Sequence, residues 1–204
     1  MSEILCFGDS NTYGLVPGKK ARFARNIRWT GILQKELGKK GDYIIEEGLC
    51  GRTTVFQDRL RSGRRGSELL PTILESHQPI DQVILMLGTN DCKTYYKASA
   101  EVIGLGIEKL IEQIKDVNEK IRILLVSPIW LKEGVGEEGY DPEFDEESVQ
   151  TSKRLKDVYQ KIAKKHRCDF LAASDVAEAS DTDREHLDEK NHARLAEALL
   201  SYLS

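Results

Sequence analysis

The sequence predicts a single-domain, doubly wound α/β fold. The expected form is a three-layer α/β/α sandwich around a five-stranded parallel sheet in the flavodoxin-like order 2-1-3-4-5. Three observations carry this reading. Short apolar runs recur without the polar alternation of half-exposed strands, as strands covered on both faces do. Longer stretches with apolar residues at helical spacing separate these runs. The chain of 204 residues, 40% hydrophobic and 31% charged, suits one globular domain over 1–204, with no internal repeat and no linker. Right-handed crossovers restrict the topology to few arrangements.

The first strand is predicted over residues 4–7, Ile-Leu-Cys-Phe, and is followed by Gly8-Asp9-Ser10-Asn11. A helical pattern covers residues 29–37, and a strand follows over 43–45. A second helix spans 67–76, with Pro71 close to its first turn, and leads to a strand over 83–87. The long helix over 102–117 places Leu105, Leu110, Ile111 and Ile114 at helical spacing before the strand over 121–126. Residues 132–147 are acidic and glycine-bearing and read as a surface loop. A helix over 147–166, a weaker strand over 168–171 and a helix over 188–203 complete the chain. Leu195, Ala196, Leu199, Leu200 and Leu203 form one apolar stripe on that last helix.

Composition excludes several classes. Thirty Lys and Arg against 34 Asp and Glu give a net charge of −4, so the basic footprint of a nucleic-acid binder is missing. No apolar run approaches the roughly 18 residues of a membrane span, and the first eight residues carry Glu3 and no basic residue, unlike a signal peptide. Cys6, Cys50, Cys92 and Cys168 are dispersed, without C-x-x-C. Reduced thiols in a cytoplasmic protein, with no metal and no cofactor, are the expectation.

Three motif resemblances fail on inspection. Gly14 to Lys19 follows the first strand as a phosphate loop would, but it has one residue too few between its glycines and Lys20 in place of Ser or Thr. Gly134-Val135-Gly136-Glu137-Glu138-Gly139 matches G-x-G-x-x-G, yet its glutamates would face a pyrophosphate and Asp141-Pro142 follows instead of a helix start. Asp181, Asp183 and Glu185 begin like a calcium loop, but His186 and His192 occupy the positions that need Gly and Glu.

Open parallel sheets bind ligands beyond the carboxyl ends of their strands. The predicted edge there collects an acyl-transfer set. Ser10 is a hydroxyl nucleophile on a post-strand turn, and a serine requires a base. Of the four histidines, His77 and His166 sit near helix ends and His192 within the last helix pattern, where a solvated face is expected. Only His186 falls in a loop on the proper edge, with Asp183 three residues before it to hold the imidazole tautomer. The Ser10 and Gly51 backbone N–H groups and the Asn90 amide are the candidate oxyanion donors. Each piece alone reads as a turn, a cap or a surface residue; their order along the chain makes the case. Tyr13, Lys93 and Trp130, each shortly after a strand on this edge, are candidates for the substrate pocket.

Gly8-Asp9-Ser10, Gly51, Gly88-Thr89-Asn90-Asp91 and Asp183-Arg184-Glu185-His186 resemble, in order, the four blocks of the SGNH (GDSL-type) hydrolase family. The resemblance implies Ser10 as nucleophile, His186 as general base and acid, Asp183 as its orienter, and Ser10, Gly51 and Asn90 as the oxyanion hole. Arg28-Trp29-Thr30-Gly31, Glu46-Glu47-Gly48-Leu49 and Arg52-Thr53-Thr54 are similar to the small bacterial arylesterase/acyltransferase subgroup, which includes perhydrolases. Tyr13, where those relatives tend to carry Trp, and the loop from Pro128-Ile129-Trp130 depart from it. The resemblance implies a homo-oligomeric serine esterase acting on short-chain aryl or acetyl esters, with acyl transfer to alcohols alongside hydrolysis. Its partner is then a small-molecule ester. The alternatives on the same residues are a carbohydrate O-deacetylase and a thioesterase or lysophospholipase. The alternative of another class is a flavodoxin-like binding module without chemistry.

Overall fold

In the computed structural model, which describes residues 1–203, the elements in chain order are β1 (Glu3–Gly8), α1 (Ser10–Tyr13), α2 (Trp29–Leu37), β2 (Tyr43–Gly48), α3 (Gly66–Ser76), β3 (Gln82–Met86), α4 (Ala100–Val117), β4 (Arg122–Ser127), α5 (Glu146–His166), β5 (Asp169–Ala172) and α6 (Glu189–Leu203). The strands form one all-parallel sheet in the order β2-β1-β3-β4-β5, as the sequence predicts. Leu5 stands opposite Ile45 on one side and Val83 on the other, and Val83 opposite Ile123.

Two-residue periodicity divides the apolar strand residues between two cores. Leu5, Phe7, Val83, Leu85, Ile123 and Leu125 face the layer of α3, α4 and α5. Ile4, Cys6, Ile84, Met86, Leu124 and Val126 face the layer of α2 and α6. Both faces are covered, so the strands read as unbroken apolar runs.

Several boundaries move for local reasons. The second strand runs on to Gly48, because Glu46 and Glu47 pair with Cys6 and Phe7 and the Glu46 carboxylate is satisfied by Arg28 at 2.6 Å and the Thr30 hydroxyl at 2.6 Å. The helix expected from 102 begins at Ala100, where the Ser99 hydroxyl accepts the Val102 N–H at 3.3 Å. A capping box between Asp145 and Ser148 starts α5, a cap worth about 1 kcal/mol. The expected surface loop over 132–147 has neither helix nor strand before Glu146, but it is anchored in the core. Val135 and Phe144 are buried with Leu131 and Val149. Two apolar side chains in an acidic stretch are too sparse to show a period, and only tertiary contact reveals them.

The carboxyl ends of the strands, Gly8, Gly48, Met86, Ser127 and Ala172, share one edge. Among the described residues no helix is long and apolar enough to cross a membrane.

Candidate active site

Ser10 leaves β1 as the first residue of the one-turn helix α1, where the sequence reading expects a plain turn. The Asp9 carboxylate makes that helix by accepting the Asn11 N–H at 3.0 Å. The turn lies tight against the sheet. A Cβ on Gly48 would come within 2.1 Å of the Tyr13 nitrogen, so glycine is required where α1 crosses the end of β2.

The loop before α6 reaches the same point. His186 Nε2 lies 2.8 Å from Ser10 Oγ, and His186 Nδ1 lies 2.9 Å from Asp183 Oδ2. Asp183 Oδ1 also accepts the Glu185 and His186 backbone N–H groups, at 3.2 and 3.0 Å. Its Oδ2 accepts the Gly18 N–H at 3.0 Å. Burial raises the Asp183 pKa, but the hydrogen bond and charge of His186 and these amides outweigh it and hold the carboxyl below its ordinary value. Arg184 turns the chain between acid and imidazole in the left-handed region, at φ 63°. That conformation costs a side-chain-bearing residue about 1–2 kcal/mol. The guanidinium offsets it by donating to Gly134 O at 2.8 Å and Glu137 at 2.7 Å, and by lying over the Tyr140 ring.

Two positioning residues escape sequence reading. Asn11 Oδ1 accepts the Leu187 N–H at 2.9 Å, and its Nδ2 donates to Glu185 O at 3.4 Å. Gly18 belongs to the stretch that imitates a phosphate loop and instead supports Asp183. Their partners lie more than 160 residues away, so no local pattern signals either contact.

The oxyanion candidates come from two further strand ends. Gly51 adopts φ +82°, a conformation that favours glycine. Asn90 Nδ2 donates to Arg52 O at 3.2 Å, which fixes the amide beside the Gly51–Arg52 turn and leaves its second hydrogen. Asp91 ties the two loops together by accepting the Thr54 N–H at 2.9 Å. Arg52, 2% exposed, donates to Gly8 O at 3.0 Å and to Glu47 O, locking the β2 loop to the end of β1. Among the described residues neither the Ser10 nor the Gly51 N–H donates a hydrogen bond. The site therefore holds a hydroxyl on a base, the base on an acid, and free donors close by.

The surroundings are acidic and buried. Burial raises Asp9 to about 6 and Asp91 to about 7. It raises Glu185 to about 7 as well; Glu185 Oε1 lies 3.5 Å from His186 Nε2. Burial opposes charge on His186, but Glu185, Asp183 and Asp9 outweigh it and raise the imidazole to about 9. Among the described residues no group of three or more His, Cys, Asp or Glu side chains is placed to hold a metal ion.

The pocket candidates scatter. Tyr13 lies under the Arg22 guanidinium, 4.3 Å from its ring centre. The Lys93 ammonium is buried against Glu143 at 2.6 Å. Trp130 is 40% exposed and lines a cavity of about 510 Å³ with Lys132, Lys153, Glu178 and Arg184, a cavity whose wall includes neither Ser10 nor Asn90. His192 corrects the expectation of a solvated face. It is fully buried, accepts the Trp29 N–H on Nδ1 at 3.4 Å, and is depressed by burial to about 4. The α6 face that packs on α2 takes it inward. Cys50 and Cys92 both have thiols raised by burial, so neither is an activated thiolate.

Comparison with known proteins identifies the family. The model of the GDSL-like lipase/acylhydrolase family matches residues 6–194. Among solved structures, Est24, a carbohydrate acetylesterase from Sinorhizobium meliloti, is 33% identical with a TM-score of 0.91, covering 100% of this chain and 98% of that one. The aryl esterase of M. smegmatis is 34% identical with a TM-score of 0.91 and the same coverage. No match is found among curated proteins. With its family blocks on one sheet edge and a third of its residues shared over full length with such structures, this chain belongs to the GDSL-like lipase/acylhydrolase family.

Proposed function

We propose that the protein is a serine esterase that hydrolyses short-chain carboxylic esters through an acyl-enzyme on Ser10. The observation that carries the reading is the unbroken hydrogen-bonded line from Ser10 Oγ through His186 to Asp183. His186 Nε2 takes the Ser10 proton as Oγ attacks the ester carbonyl, and Asp183 holds the other ring nitrogen protonated. The Ser10 and Gly51 N–H groups and the free Asn90 hydrogen stabilise the oxyanion. The imidazolium then protonates the leaving alcohol, and water releases the acid by the same route.

The substrate class is a small ester with a short acyl group. An acetyl group is the common element of aryl acetates and acetylated sugars. It is supported by the solved relatives, one named an aryl esterase and one a carbohydrate acetylesterase. The four unpaired cysteines support a cytoplasmic location. The homo-oligomer is carried over from the subgroup resemblance, and sedimentation would size it.

The deciding experiment is covalent labelling. A serine-directed organophosphate should label Ser10 alone, located by mass spectrometry, and Ser10→Ala should lose both the label and turnover of an aryl acetate. Turnover retained by that variant, or no label on the intact protein, would overturn the assignment.

A further inference from the structure

We infer that Glu185 holds the water that deacylates Ser10 and so favours hydrolysis over transfer of the acyl group to alcohols. The inference rests on the esterase reading above.

The Glu185 side chain is buried, with 7% of the residue exposed, and its carboxylate receives no hydrogen bond from any described residue. His186 Nε2 lies 3.5 Å from its Oε1. Asp183, Asp9 and Asp141 add only like charge. The loop does not need this side chain, because its backbone N–H goes to Asp183 and its carbonyl to Asn11. A largely buried carboxylate whose only charged neighbour of opposite sign is an imidazole 3.5 Å away gains from a further donor. The nitrogen it faces is the one that must accept a proton from the incoming nucleophile.

In deacylation the water oxygen forms a bond to the acyl carbon. One of its protons passes to His186 Nε2, and the carbonyl electrons move onto the oxyanion. The intermediate then collapses, the bond from the acyl carbon to Ser10 Oγ breaks, and the imidazolium proton returns to Oγ. The second water hydrogen takes part in no transfer and is free to donate to Glu185 Oε1. An alcohol has no second hydrogen. It would set its carbon chain against a desolvated carboxylate and leave that acceptor unpaired, a penalty that discriminates strongly between otherwise similar molecules.

The test is a partition ratio, which a purely structural role would not move. Aryl acetate is turned over in water with a fixed concentration of ethanol, and the yields of ethyl acetate and acetic acid are compared. Glu185→Leu should raise the ratio of transfer to hydrolysis about tenfold. Glu185→Ala, which removes the same acceptor with a different volume, should move it the same way. Glu185→Gln keeps an acceptor oxygen and should return most of the native ratio. A ratio unchanged from the native protein in both acceptor-free variants, with Ser10 still labelled, overturns the role of Glu185 and leaves the esterase reading intact. A native protein that neither labels nor turns over removes both.

Discussion

Asn11, the residue after Ser10, accepts on its side-chain oxygen the backbone N–H of Leu187, the residue after His186, at 2.9 Å. The same amide donates to the carbonyl of Glu185. Two parts of the chain 176 residues apart are therefore joined one residue beyond each reacting group. Trp29 steadies the clamp from behind, donating its indole N–H to Asn11 O at 3.0 Å.

Replacing Asn11 by Leu keeps its volume and removes both bonds. The hydroxyl–imidazole contact then loses its positioning, and kcat for an aryl acetate should fall on the order of 10²-fold while KM changes little. A rise in KM at unchanged kcat would place Asn11 in substrate binding instead.

Asn90→Ala removes one oxyanion donor and leaves the Ser10–His186 bond in place. The expected loss is on the order of 10²–10³ in kcat. Steady-state kinetics with undiminished kcat would take Asn90 out of the hole.

As the proposed base, His186 works only as neutral imidazole. Burial favours that form, but Glu185, Asp183 and Asp9 overcome it and hold the proton up to about 9. The rate constant kcat/KM should therefore climb with pH, pass half its limit near 9 and level off only above that. Glu185→Gln removes the largest of the raising charges, so the acid limb of the profile should move to lower pH. An unmoved limb would assign the alkaline requirement elsewhere.

His192 is held neutral inside the fold, with its pKa depressed by burial to about 4 against an ordinary 6.5. A depressed histidine contributes stability that is complete above 6.5 and is lost as the pH falls toward 4. The contribution is on the order of 3 kcal/mol. Denaturant unfolding of the native protein and of His192→Gln should therefore diverge most near neutral pH and converge near pH 4. Parallel pH profiles of the two would show that His192 does not titrate on unfolding.

Much of the fold is legible locally. The runs 4–7, 83–87 and 121–126 are apolar on both faces, as parallel strands covered on both sides are. The polar half of β2 is not legible, because its pairing depends on a neighbouring strand instead of its own pattern. Likewise, Ser10, Asn90, Asp183 and His186 stand out because polar residues after buried strands need a reason. Asn11, Gly18 and Glu185 do not, since an Asn, a Gly or a Glu in a loop has many local explanations.

The sequence by itself determined where the strands and helices fall, the strand ends that carry the candidate site and which residues are candidates for it, because hydrophobic period and strand ends are local properties; the order 2-1-3-4-5 was one of the few arrangements that right-handed crossovers permit. Tertiary structure alone decided how far apart the reacting atoms stand and what surrounds them. It buried His192 against Trp29, withdrew Lys93 to Glu143 and set the Glu185 carboxylate 3.5 Å from the His186 ring nitrogen that faces Ser10. Those outcomes depend on which side chains meet across the fold and on how little water remains between them, and both are set only when distant segments pack.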